Sequence, residues 1–414
     1  MKSRVLCLAF AALFAFVALA DEVDDSRRFQ RAAMEAYQAK DNAAFLTNIR
    51  KASDLRPQHP TLLYQLAGAL DLNGKRDEAV KVLERVASMG MVFGDVAKDF
   101  TDARYAKVIK RFDENKRAIG AAKREFAVEQ TGLIPEGMAW DGKRFFVSSV
   151  RTKTIFVVDA NGKAESFATA PYGVFGMVAD EKRGVLWAAT SALPQVEEFT
   201  PEQKGKSALL RIGLWTGRVL ERIDAPEGEH QFGDVAMAAD GEVFVSDSRA
   251  GTIYRVVKHD ETHTLEPFIS SGFQSLQGLA VIGNVLFAAD YSKGLLAIDR
   301  KTRDVHTLRV PSNISLLGID GIYAIDAKTL IATQNGTSPF RILRIELGGK
   351  GMSVTSAKTL LANSELMGDP TLGVVAGDRF FFNGNAQWDL YGEDGKIADP
   401  FKLSEAVVLS TPLR

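Results

Sequence analysis

Residues 134–168 read IPEGMAWDGKRFFVSSVRTKTIFVVDANGKAESFA. Glu136 opens a short apolar strand, and Asp141-Gly142 supplies a turn before the β-rich run Phe145–Val150. A second run, Thr154–Asp159, is followed by the hairpin turn Asn161-Gly162 and a last strand, Ala164–Ala168. Asp-Gly and Asn-Gly provide the positive φ that tight hairpins require, so the stretch predicts four antiparallel strands. One such sheet cannot bury both faces, and so it calls for copies of itself.

The copies follow. Equivalents of Glu136 are expected at Phe175, Asp234, Gln277, Asp320 and about Thr371. The second strand recurs as Val185–Ser191, Val243–Ser248, Val285–Tyr291, Thr329–Asn335 and Arg379–Asn385, each trailed by two further runs. In the last copy those runs are expected at Asp389–Asp394 and Lys396–Leu403. Six units of four strands, roughly 40–50 residues apart, predict a mainly β fold, a six-bladed β-propeller. A further strand near Glu125–Gln130 is expected to complete the last blade and close the ring without an exposed edge.

Outward from the propeller, residues 24 to about 120 change character. Ala, Leu, Lys, Arg and Glu dominate, and apolar residues recur three and four apart. Leu63, Leu66, Ala67, Leu70, Gly74, Ala79, Leu83 and Val86 fall on a 34-residue pattern that resembles tetratricopeptide repeats, helix pairs packed through small residues. The expected domains are therefore a leader at 1–20, a tetratricopeptide-like helical domain at 21–120 and the propeller at 125–414. The helices are either a docking groove for a protein partner or an extension packed on the propeller.

The chain has 414 residues, with a net charge of −1 and one cysteine, Cys7. Lys2 and Arg4 precede the apolar run Val5–Ala18, and Ala18-Leu19-Ala20 fits a small-x-small cleavage site. The run is too short for a membrane span. Cleavage would start the chain at Asp21, with 49 basic against 52 acidic residues and no cysteine. A periplasmic or secreted protein held by its core alone is the expectation. No basic run supports a nucleic-acid partner.

The starts of the inner strands and the ends of the second strands share one mouth of the channel. That mouth is expected to collect Glu136, Asp234 and Asp320, with Asp247 and Asp290 behind them. Converging carboxylates repel, and a divalent cation, retained protons or water can relieve that repulsion. Oxygen donors without cysteine suit a hard cation such as calcium or magnesium. For Asp247 and Asp290, a backbone-capping role is the alternative. His230, in the loop Ala225–Gln231, is expected near the channel, either as a general acid or base or as a surface residue without a role. The long segment Ala192–Ser207 is expected to rise over the same mouth. There is no Gly-x-Ser-x-Gly, no zinc-spaced histidine pair and no cysteine nucleophile after the leader.

Pro135-Glu136-Gly137-Met138-Ala139-Trp140 resembles the opening motif of the senescence marker protein/gluconolactonase/luciferin-regenerating enzyme family, where the Glu binds a metal. Gly318-Ile319-Asp320-Gly321-Ile322 resembles its Asp-Gly motif, whose Asp is a metal ligand and the base. Ser275-Leu276-Gln277-Gly278-Leu279-Ala280 sits where the family has a metal-binding Asn, and Gly233-Asp234 where it often has Asn-Asp-Gly. The resemblance covers residues 126–414. It implies a divalent metal, calcium by its donors, held by Glu136, Gln277 and Asp320. Asp320 would be catalytic, and Asp234, His230, Asp247 and Asp290 would stand on the substrate side. Gln277 and Asp234 depart from the family residues. Two functions follow: metal-assisted attack of water on a lactone or ester, with a small polar ligand at the mouth, or a non-catalytic scaffold that binds a protein or ligand.

Overall fold

The computed structural model describes residues 5–159 and 162–414, and residues 5–21 by backbone alone. The first four residues of the expected leader and the Asn161 half of the first blade's last turn lie outside what is described, and the rest of the leader is described as helical backbone. Among the described residues, no helix is long and apolar enough to cross a membrane.

Six four-stranded antiparallel sheets form the ring. Blade one runs Pro135–Trp140, Phe145–Ser149, Thr154–Val158 and Ala164–Thr169 from the channel outward. Blades two to five begin with Gly173–Asp180, Phe232–Met237, Leu276–Ile282 and Ile319–Asp326. Blade six takes Gly373–Ala376, Arg379–Asn383 and Glu405–Pro412, and its outer strand is Lys123–Thr131 from before blade one. The ring is thus closed by strand pairing between the two ends of the propeller, Ala127 lying opposite Val407.

Two expectations for blade six are corrected. Residues 389–394 and 396–403 do not supply its outer strands. They form a loop with short helical turns at Trp388–Leu390 and Pro400–Lys402 and one isolated bridge, Tyr391 to Ile397. The apolar residues Leu390, Ile397 and Leu403, which make this stretch read as strands, pack instead against the cluster around Trp187, Val235 and Tyr391.

The helical region comprises α1 (Val5–Gln38), α2 (Asn42–Leu55), α3 (Pro60–Leu72), α4 (Arg76–Ser88), α5 (Val96–Asp99) and α6 (Ala106–Asn115). Local chemistry sets its starts. The Asp41 carboxylate accepts from Ala44 N at 2.9 Å to cap α2, and Pro60 stands in the first turn of α3. Ala33, Ala52, Ala67 and Ala79 are fully buried among Ile49, Leu83, Tyr105 and Phe112, as close helix packing through small residues requires.

This layer sits on blades four and five. Arg56 Nη2 donates to Ser292 O at 2.6 Å, Gln58 Nε2 to Val310 O at 2.7 Å and Val92 N to Ser338 O at 2.8 Å. The buried Arg341 of blade five donates to Met89 O at 2.6 Å, and Asn363 Nδ2 donates to Asn115 O at 2.9 Å.

Candidate functional site

A bulge repeated around the channel builds the mouth. In blade one Pro135 pairs with Ser149 and Met138 with Val147, so Glu136 and Gly137 together face Ser148. The same two-against-one step occurs at Phe175-Gly176, Gly233-Asp234, Gln277-Gly278 and Asp320-Gly321. In blade six Gly373 pairs with Phe382 and Thr371 N bonds Asn383 O, which places Leu372-Gly373 at the same step. Bulges re-aim side chains. Here they turn Glu136, Phe175, Gln277, Asp320 and Leu372 into one cavity of about 290 Å³.

The second residue of each step lies where neighbouring blades come closest. A Cβ on Gly137 would stand 2.0 Å from Phe175 O, and one on Gly278 2.4 Å from Asp320 O. Glycine therefore fills this place in five blades. Asp234 fills it in the sixth case, blade three. Two expectations are corrected on this point. Gly233, not Asp234, is the register equivalent of Glu136, and Leu372, not Thr371, is that of blade six. The side chain of Thr371 instead donates to Pro135 O at 3.0 Å.

Asp234 still reaches the cavity, at its floor. It lines both the mouth cavity and the space of about 310 Å³ further down the channel. Its Oδ2 accepts from Leu279 N of the next blade at 2.9 Å. Burial pushes its carboxyl up to about 7, with Asp320 adding to the rise against the backbone hydrogen bonds from Leu279 and Val235.

Glu136 and Asp320 are the other acids that line this cavity. Glu136 Oε2 accepts from Trp388 Nε1 at 2.9 Å, and Asp320 Oδ2 accepts from Asn335 Nδ2 at 2.9 Å. The Asn335 carbonyl oxygen in turn accepts from the Tyr291 hydroxyl. Burial, followed by the charges of Asp320, Asp369 and Asp234, holds Glu136 well above the ordinary carboxylate range. Burial also lifts Asp320 to about 6, with the Asn335 hydrogen bond working against the rise. Gln277 Nε2 donates to Ser275 Oγ at 3.3 Å, which leaves its amide oxygen free for the cavity.

The remaining candidates stand apart. Asp290 accepts from the backbone N–H of Gln274, Ser275, Ser292 and Lys293 at 2.7–3.0 Å. Asp247 accepts from Gln231, Arg249 and Ala250 N at 3.0–3.1 Å and meets His230 Nδ1 at 2.6 Å. Both are fully buried, and neither they nor His230 lines the mouth cavity. His230 is itself buried, not a surface residue, and its Nε2 has no partner among the described residues.

The end of every second strand has this anchoring task. Ser149 donates to Leu133 O, Thr190 to Ala208 O, Gln334 to Ser315 O and Leu317 O, and Asn383 to Glu136 O. Sequence reasoning missed Asp369, Trp388, Asn335 and Tyr291. Asn335 and Tyr291 end predicted strands and are neutral, so no signal in the sequence marks them. Trp388 was hidden by the misread loop.

Among the described residues, no group of three or more His, Cys, Asp or Glu stands close enough to hold a metal. A set of two carboxylates and one amide is a different arrangement, and the donors fit it. Glu136 Oε1, Gln277 Oε1 and Asp320 Oδ1 have no hydrogen-bond partner among the described residues. No basic side chain lines their cavity. An oxygen-only, net-negative pocket suits a hard divalent cation.

No protein-family model matches the chain, and no curated protein sequence matches it. Among solved structures, the chain is similar to the PQQ-bound aldose sugar dehydrogenase of Streptomyces coelicolor, at 17% identity, with 71% of this chain and 99% of that one covered and a TM-score of 0.47. A gluconolactonase of Xanthomonas campestris gives 13% identity over 72% and 98%, with a TM-score of 0.46. Virginiamycin B lyase of Staphylococcus aureus gives 11% over 70% and 99%, with a TM-score of 0.45. At these values the likenesses assign no activity to this chain.

Proposed function

We propose that the channel mouth binds a divalent cation, calcium by its donor set, through Glu136, Gln277 and Asp320, and there binds a small polar molecule and hydrolyses its lactone or ester bond. The observation that supports this reading is the accumulation of uncompensated charge. Beyond burial, Asp320, Asp369 and Asp234 raise the proton affinity of Glu136, Asp320 raises that of Asp234 and Asp369 that of Asp320, and no basic group in the cavity relieves them. The leader-like residues 1–20 favour an exported setting for this chemistry.

A bound cation would polarise the carbonyl of the ligand. The chain's own residues do the rest. Asn335 fixes one oxygen of Asp320 and leaves the other to take a proton from water. With its carboxyl near 6, Asp320 is ionised at neutral pH and able to accept that proton. Trp388 orients Glu136 in the same way. Phe175, Leu193 and Leu372 form apolar walls that limit water in the cavity. Raised to about 7, the Asp234 carboxyl is half protonated at neutral pH, and in that form it serves as a hydrogen-bond donor to a ligand hydroxyl at the floor.

Thermal melts with and without calcium, combined with a lactone and ester screen, test the reading. Calcium should raise the melting temperature, because it binds the native state. Asp320→Asn should remove that rise and the hydrolysis while leaving the fold intact. An unshifted melt, together with Asp320→Asn more stable than the wild type, overturns the reading. The non-catalytic scaffold would then lead.

A further inference from the structure

Between the helical layer and the propeller lies a larger cavity of about 1080 Å³. Its charge is the reverse of the mouth's. Arg27, Arg56 and His59 line it, and no Asp or Glu does among its described lining residues. The hydrogen-bonded pair Tyr291 and Asn335 links the two regions. Both line the cleft, and Asn335 holds Asp320 on its far side.

The guanidiniums are poorly compensated. Arg56 spends one N–H on Ser292 O and has no carboxylate partner among the described residues. Asp290, whose charge acts on Arg56, has its oxygens engaged by four backbone N–H groups. Arg27 meets Asp24 at 3.3 Å only at the exposed rim, and its other nitrogen bonds Ser292 Oγ at 3.1 Å. Burial and the charge of Arg27 lower Arg56 to about 10, the repulsion expected of two cations sharing a recess.

His59 adds a donor and no charge. Its Nδ1 accepts from Leu62 N at 3.4 Å, so the ring hydrogen is on Nε2. Burial and Arg56 push it down to about 3, which keeps it neutral. The Thr337 hydroxyl on the same lining is buried and without a partner among the described residues. Met91, Phe93 and Phe340 give apolar surface beside these donors.

We propose that this cleft binds a small organic anion, its carboxylate or phosphate group held between Arg27 and Arg56 and its body against Phe93 and Phe340. Fork-shaped guanidiniums recognise both groups with paired hydrogen bonds. The cleft is too large for an inorganic ion alone, so the ligand is of sugar-acid or sugar-phosphate size. The inference stands independently of the cation reading.

Isothermal titration of the full chain, in buffer freed of metals on a chelating resin, tests it. Gluconate and inorganic phosphate are titrated separately at fixed ionic strength. Binding of gluconate alone identifies a carboxylate ligand, and binding of phosphate alone a phosphate ester. Arg27→Gln with Arg56→Gln should weaken that binding at least tenfold. Because Arg56 also anchors the helices, Arg27→Gln alone is the second variant and should weaken it severalfold. Arg218→Gln, an exposed arginine outside both cavities, should leave it unchanged. Absence of binding by the wild type, equal binding by the double variant, or an equal loss of binding in Arg218→Gln overturns the proposal. Since no calcium is present, either reading can fail while the other stands.

Discussion

Asp234 occupies a place that glycine holds in the other five blades, and its environment makes stability depend on pH. Its carboxyl lies near 7 in the fold and near 3.8 in the open chain. A folded value raised above the unfolded one means that the native state holds the proton more tightly. The stabilisation is complete below about pH 3.8 and is lost as pH rises to about 7, a span of about 4 kcal/mol at most. In metal-free buffer, Asp234→Asn should therefore gain stability over the wild type at pH 8 and lose most of that gain near pH 4. The Asn oxygen can still accept from Leu279 N. An equal difference between the two proteins at both pH values would remove the titration argument. Gln277→Asn should keep or improve calcium affinity, because it supplies the same amide oxygen on a shorter arm, as titration calorimetry would show. The sequence made Glu136, Gln277 and Asp320 visible because a glycine follows each. It misplaced Asp234 because the order there is reversed, glycine first, and only the strand register reveals the inversion.

The repeated bulge is the element on which the site depends, and it has a steric condition. A methyl group on Gly278 would collide with Asp320 O of the next blade. Gly278→Ala should cost upwards of about 2 kcal/mol in denaturant unfolding, the scale of overpacking without room to relax. The same substitution at Gly377, where a Cβ meets nothing within 4 Å, should cost less, although its positive φ still imposes some strain. Asp290 gives a contrasting case. It ties the turn after its strand to the loop that enters the blade before Leu276 through four N–H groups, so Asp290→Ala should cost roughly 2–4 kcal/mol. Calcium affinity should not change, because Asp290 lies outside the mouth cavity. Strands were legible here because hairpin turns punctuate them. The loop 386–404 was not, since its Leu, Ile and Tyr residues carry a strand-like pattern while packing side-on against blade two.

At the scale of the molecule, two different joints hold the N-terminal third to the ring, and truncation separates them. One joint is strand pairing, Lys123–Thr131 against Glu405–Pro412. The other is the helical layer seated on blades four and five, through contacts such as Arg56 to Ser292, Arg341 to Met89 and Asn363 to Asn115. We propose that residues 21–120 and 125–414 are separate domains joined near Gly120–Arg124. On this reading, a chain beginning at 122 keeps all six sheets and should fold. It should melt below the full chain, because it loses the hydrogen bonds and buried contact across that joint. A chain beginning at 132 lacks the outer strand of blade six. It exposes the edge Glu405–Pro412, rich in Val and Leu, and should aggregate or fail to melt cooperatively. Circular dichroism melts and gel filtration of the two fragments decide between the joints. If both fragments behave alike, strand closure is not what holds the ring. If the chain from 122 fails as completely as that from 132, the helical layer is part of the propeller's own core, and the division into two domains is wrong.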